Sequence, residues 1–251
     1  MRLDQYLVSK GIIKSRHRSQ IEIKAGRILV NGNRVKPSYI VKDTDNIEVL
    51  KSYNPYVSQG GLKLAHAIEY FNVDFTNTTI IDIGASTGGF TDCALKHGAK
   101  KVIAIDVGSD QMDQSLRDNS GVLSLEKTNY LEVSLDDFTP VDYVVMDVSF
   151  TSGIPLVFHT FETLDIPMIW LIKPQFETMK TPKSGVIKDP KLHRMVLSSI
   201  EKTLNQNQLY IQKITPSPIK GQKGNIEFLA LIGRTRSYIN IDAIVHQAHL
   251  E

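Results

Sequence analysis

IIDIGASTGGFTDCAL (residues 80–95) reads as a buried strand, a tight turn of small residues and the start of a helix. The strand ends at Asp82-Ile83-Gly84, the turn runs through Ala85, Ser86, Thr87, Gly88 and Gly89, and the helix opens near Phe90. Glycines at such a turn let the backbone come close to a ligand. A dinucleotide-binding turn needs a second glycine two positions after Gly84, where this chain has Ser86. The turn therefore suits a ligand without a pyrophosphate, and S-adenosylmethionine is one. Asp106 closes the next strand-like run, 22 residues after Gly84, where an acid can accept both hydroxyls of an adenosyl ribose. Asp82 is expected near the sulfonium and amino-acid end. Asn129, in EKTNYLE, is a candidate for adenine or loop contact. A turn that needed glycines only for packing would not explain Asp106.

Outward from this turn the pattern alternates. Strand-like runs fall at 79–84, 101–106, 121–126, 141–148, 167–173, 209–214 and 226–232. Helical patterns fall at 62–71, 89–97 and 190–205. Alternating βαβ units predict an α/β, Rossmann-like, mostly parallel sheet of seven strands. Only a loop, 215–225, joins the last two runs, so the final strand is expected to be antiparallel.

Residues 1–52 differ in kind. They hold eleven Lys and Arg against five Asp and Glu, whereas the remainder holds eighteen against twenty-two. LDQYLVSK (3–10) has one apolar helical face, and a second helix is expected at 16–25, closed by Gly26. RILVNGNRVK follows, with Asn31-Gly32 between β-prone residues as a hairpin turn. The reading is a small α+β unit at 1–52, a linker at 53–61 and a catalytic domain at 62–251. Arg2, Arg16, Arg18, Lys24, Arg27 and Arg34 are its candidate RNA contacts, since clustered cations attract a phosphate backbone.

Four charged residues fall where the sheet would deliver side chains to its ligand crevice. Asp147 ends VVMD, Lys173 ends LIK, Glu227 opens the last strand and Lys63 starts the helix after the linker. A charge closing an apolar strand is costly unless paired. Two lysines and two carboxylates can be buried together as a neutral network.

These stretches carry a resemblance. RLDQYLVSKGIIKSRHRSQIEIKAGRILVNGNRVK resembles the alpha-L RNA-binding motif of ribosomal protein S4. Lys63, Asp147, Lys173 and Glu227 resemble the Lys-Asp-Lys-Glu tetrad of FtsJ-like ribose 2'-O-methyltransferases. With YVSQGGLKL, DIGASTGGFTDCAL, MDVSF, LIKPQFE and KGNIEF, the whole chain resembles the TlyA family. The resemblance implies S-adenosylmethionine-dependent methylation of a cytidine ribose in ribosomal RNA, free or in a subunit. Asp147 would also border the cofactor. Lys173 would accept or steer the hydroxyl proton, Asp147 would hold Lys173 in line, and Lys63 and Glu227 would fix the geometry. The family usually has Arg where this chain has Gln59, so no charged phosphate contact is expected there.

Other features bound the function. The one cysteine, Cys93, allows no intrachain disulfide and fits a reduced, cytoplasmic setting. No apolar run is long enough to span a membrane, which weighs against the hemolysin name some family members carry. No metal is expected, because the seven histidines show no ligand spacing, and His246 and His249 read as part of a surface helix. Loops 174–189 and 215–225, with Lys180, Lys183, Lys188, Lys220 and Lys223, are expected to flank the site. The rival readings are a non-catalytic RNA-binding or ribosome-assembly factor and a methyltransferase acting on a small molecule or protein.

Overall fold

The computed structural model describes residues 1–13, 15–24, 26–50 and 54–250, without the side chains of residues 17, 18, 21 and 222. It divides into two compact units, Met1–Pro55 and Tyr56–Glu251.

In the first unit, α1 (Leu3–Ser9) and α2 (Arg16–Lys24) accompany a three-stranded antiparallel sheet of β1 (Ile28–Val30), β2 (Asn33–Arg34) and β3 (Ile47–Val49), ordered β2-β1-β3. Asn31 (φ 53°) and Gly32 (φ 74°) are both left-handed, the conformation a two-residue hairpin of this twist needs. Leu3, Leu7, Ile23, Ile28 and Val30 form its core. Asp4 is buried beside that core and accepts from Arg2 (3.0 Å), Arg16 (3.0 Å) and Gln20 (2.8 Å). The Arg2 guanidinium holds the Asp4 carboxyl well below the usual carboxylate range.

The second unit contains α3 (Gly60–Phe71), β4 (Thr79–Ile83), α4 (Gly89–Lys96), β5 (Lys101–Ile105), α5 (Gln114–Arg117), β6 (Val122–Leu125) and β7 (Tyr143–Met146). It continues through α6 (Ile154–Thr163), β8 (Met168–Ile172), α7 (Pro190–Gln206), β9 (Tyr210–Pro216), β10 (Phe228–Gly233) and α8 (Ile241–Leu250). The seven strands are ordered β6-β5-β4-β7-β8-β10-β9. β6 through β8 run parallel, and β10 is antiparallel to both β8 and β9. This is the Rossmann-like sheet with an antiparallel last strand that the alternating pattern predicts. Strand β8, MIWLI, is buried at every position, as befits a strand covered on both faces. The strand order reverses between β4 and β7, and such a switch point opens a crevice at the carboxyl ends of the strands.

One stretch differs from expectation. Within 53–61, Tyr56–Gly61 belongs to the second unit: the Val57 N–H donates to Asp92 (2.9 Å), and α3 starts at Gly60 rather than 62. Residues 51–53 lie outside the described residues. Helix α8 lies at the surface as expected, with His246 exposed, and its packed face buries Ile241, Val245 and Ala248; His249 Nε2 lies 2.9 Å from Nδ1 of the buried His193 on α7. Burial pushes the His193 imidazole down to about 4.

Candidate active site

The crevice is a cavity of about 400 Å³, within the usual size range of small-molecule sites. Gly84, Ala85, Ser86, Thr87, Gly89 and Phe90 line one side, and Lys63, Asp147, Lys173 and Glu227 line another. Asp147 is the first residue past β7 and Lys173 the first past β8. β10 pairs Phe228 with Ile172, so Glu227 emerges beside the end of β8. Lys63 stands in the first turns of α3. The four form two ion pairs, Lys63–Glu227 at 2.6 Å and Lys173–Asp147 at 2.5 Å. Lys63, Lys173 and Glu227 are each buried. Gly221 backs Glu227 closely: a Cβ there would stand 1.9 Å from Glu227 Oε1.

The glycine turn is held from beneath. Gly84 (φ +79°) has no room for a Cβ, which would lie 2.8 Å from the Asp147 carbonyl oxygen. Gly88 (φ +88°) is the left-handed N-cap of α4. Asp106 accepts from the Ser86 N–H (2.8 Å) and the Gly108 N–H (2.7 Å), so it braces the turn. It does not itself line the cavity, and its remaining lone pairs are those that could accept ribose hydroxyls. Two expectations need correction. Asp82 does not line the cavity; it is wholly buried under the turn, where Thr91 Oγ1 donates to it at 2.6 Å. Burial pushes its carboxyl up to about 7, and the negative charges of Asp147 and Asp106 add to the rise. Asn129 is committed elsewhere. It accepts from the Leu131 N–H (3.2 Å) and donates to Glu132 (2.9 Å), capping the short turn Tyr130–Glu132.

The sequence reading missed several residues. Ser149 Oγ accepts from Lys173 Nζ at 2.7 Å. Phe150 is left-handed (φ 64°), 88% exposed at the cavity, and its ring centroid lies 5.2 Å from that of Phe176. Glu177 accepts from Ser152 Oγ (2.6 Å) and the Gly153 N–H (2.8 Å), fixing the turn that carries Phe150. The buried Asn225 donates to the Gly185 carbonyl (2.9 Å) and accepts from the Ile187 N–H (3.0 Å). It ties together the two loops expected to flank the site. Both loops do contribute to the cavity wall, through Thr181, Gly185 and Lys223. Backbone turns aim all of these side chains, and no periodicity reports such aim.

The first unit carries its own basic surface. Arg2 and Arg16 converge on Asp4, and Arg27 pairs with Glu22. Lys24 and Arg34 line an open groove of about 660 Å³ with Lys36 and Tyr39. The Arg18 side chain lies outside the described residues.

A Rossmann-like sheet, a glycine turn at its switch point and a neutral tetrad of lysines and carboxylates define a methyltransferase, and the chain belongs to the FtsJ-like methyltransferase family, which matches residues 56–234. The S4 domain matches residues 1–47. Hemolysin A of Brachyspira hyodysenteriae is 43% identical, covering 92% of this chain and 98% of that one. The 16S/23S rRNA (cytidine-2'-O)-methyltransferase TlyA of Mycobacterium tuberculosis is 33% identical, covering 98% of this chain and 96% of that one. A solved structure described as "Putative hemolysin from Streptococcus thermophilus" superposes with a TM-score of 0.77 at 34% identity, covering 100% of this chain and 96% of that one.

The family's cofactor is S-adenosylmethionine, and the residues present fit it. Gly84 and Gly89 bring bare backbone to the cavity wall, where a Cβ would have no room, and the Asp147 carboxylate lines the same cavity as a counter-charge for a cationic sulfonium.

Proposed function

We propose that this protein methylates a ribose 2'-hydroxyl of ribosomal RNA, on a cytidine, with S-adenosylmethionine as donor. The observation that carries this is two ion pairs, the buried Lys63–Glu227 and the half-buried Lys173–Asp147, lining one cavity with the glycine turn. The TlyA relatives of Mycobacterium tuberculosis and Campylobacter jejuni, both named as (cytidine-2'-O)-methyltransferases, support the base and the substrate.

S-adenosylmethionine, when bound, supplies a methyl group already activated on sulfur. The chain's task is then to orient the hydroxyl and receive its proton. Lys173 faces the cavity and takes or steers that proton. Asp147 anchors the Lys173 amine. Lys63 and Glu227 shape the opposite wall and keep the cluster neutral. Gly84–Phe90 and Asp106 cradle the donor. Positioning supplies most of the rate. Phe150 offers an exposed aromatic face on which an unstacked base can lie. The residue 1–52 unit docks RNA through Arg2, Arg16, Arg18, Lys24, Arg27 and Arg34, with exposed Lys180, Lys183, Lys188, Lys220 and Lys223 touching backbone phosphates. Among the described residues no helix is long and apolar enough to cross a membrane. We read the protein as acting on ribosomes in the cytoplasm.

The test is ribose-methylation mapping of ribosomal RNA incubated with wild-type protein and with Lys173→Ala. The expected result is one or a few new 2'-O-methyl sites, with initial rates at least about 100-fold lower for the variant. Near wild-type transfer by the variant would remove Lys173 from the mechanism.

A further inference from the structure

Lys173 has two partners at the cavity. Its Nζ lies 2.5 Å from Asp147 Oδ1 and 2.7 Å from Ser149 Oγ, and Ser149 lines the same cavity. We propose that Ser149 is a positioning residue for methyl transfer: it accepts one N–H of Lys173 beside the Asp147 carboxylate, and so limits the directions in which the amine's lone pair can meet the substrate hydroxyl. The proposal rests on the 2'-O-methylation reading above.

A lysine ammonium carries three N–H groups and turns about its Cε–Nζ bond. The amine carries two N–H groups and one lone pair. The Asp147 contact is an ion pair and does not by itself fix the rotor, whereas an N–H donated to Ser149 does, leaving two positions of which one holds the lone pair. The proton of the ribose hydroxyl then moves to Nζ and restores the ammonium without breaking the Ser149 contact. The electron pair of that O–H bond stays on O2' and forms the bond to the methyl carbon, whose bond to sulfur breaks with its pair left on sulfur.

The surrounding backbone is shaped to deliver this contact. Phe150, next to Ser149, sits in the left-handed region at φ 64°, which is strained for a bulky residue. Strain of this kind persists only where neighbours hold it, and it gathers at functional sites. Here Glu177 is the holder, accepting from Ser152 and Gly153 just past the turn. The turn leaves the Ser149 hydroxyl on Lys173 and the Phe150 ring in the open.

The test compares full-length wild type, Ser149→Ala and Ser149→Thr. The expected Ser149→Ala result is a fall in kcat of about tenfold or more with the RNA KM unchanged within twofold. Ser149→Thr keeps the hydroxyl and restores kcat. An unchanged kcat in Ser149→Ala, a KM that rises in step with the loss, or no rescue by Ser149→Thr overturns the proposal. Wild-type protein inactive on ribosomal RNA overturns both this and the functional reading, whereas active wild type with an indifferent Ser149→Ala overturns this alone.

Discussion

Lys63 and Glu227 stand 164 positions apart in the chain and meet at 2.6 Å, both buried, where helix α3 passes the start of β10. Truncating one partner strands the other as a buried charge, which costs about 3–5 kcal/mol in folded proteins. Lys63→Met should therefore lower the urea midpoint sharply. The double variant Lys63→Gln, Glu227→Gln removes both charges and should recover most of that stability while leaving methyl transfer impaired. Equal stability of Lys63→Met and wild type would show that the pair is solvated in solution.

Gly84 tests the donor cradle. An alanine there meets the Asp147 carbonyl at 2.8 Å and a backbone φ of +79° that it adopts poorly. Gly84→Ala should weaken S-adenosylmethionine binding in calorimetry at least about tenfold, because the turn and the Asp147 strand end must move apart. RNA binding by the basic unit should persist. Unchanged cofactor affinity would place the donor elsewhere.

How far the sequence carried this site follows from where its side chains are rooted. Asp147, Lys173 and Glu227 interrupt or end apolar strands, so their cost of burial shows in the pattern, and strand alternation alone locates the crevice they share. Ser149, Phe150, Glu177 and Asn225 sit in loops whose aim is set by single backbone torsions and by partners 24 to 40 positions away. Asp82 and Asn129 had the right neighbourhood and the wrong neighbour: one supports the turn through Thr91, the other caps its own turn. The basic count of residues 1–52 was readable, but the buried acids that gather Arg2, Arg16 and Arg27 were not.

Asp82 gives the fold a pH signature. Its carboxyl is pushed up to about 7 by burial. The folded state therefore holds a proton that the unfolded chain releases near 4. Stability from this group is complete below that value and falls as pH rises through 4 to 7. Asp82→Asn should flatten this limb in thermal melts taken across that range. A difference between wild type and variant that does not vary with pH would refute the assignment.

His193 works in the opposite sense. Burial, with His249 beside it, keeps its imidazole neutral down to about 4, while Asp189 pulls the other way. The unfolded chain takes up that proton near 6.5. Stability is thus lost as pH falls from 6.5 toward 4. His193→Gln should erase this slope, and α8 should become the first segment to exchange its amide protons in wild type at pH 5. Slow exchange in α8 throughout would show that its apolar contacts, not the imidazole pair, hold it.

The buried Asp4 has a consequence for the RNA docking proposed for the basic unit. Two arginines and a glutamine are already oriented around it before any polyanion arrives. A surface of loose cations adapts to whatever phosphates it encounters. One whose guanidiniums are fixed from inside behaves as a template, favouring the polyanion whose phosphate spacing matches and gaining little from equal charge in another arrangement. An acid at the centre of a cationic module thereby turns attraction into selection by shape.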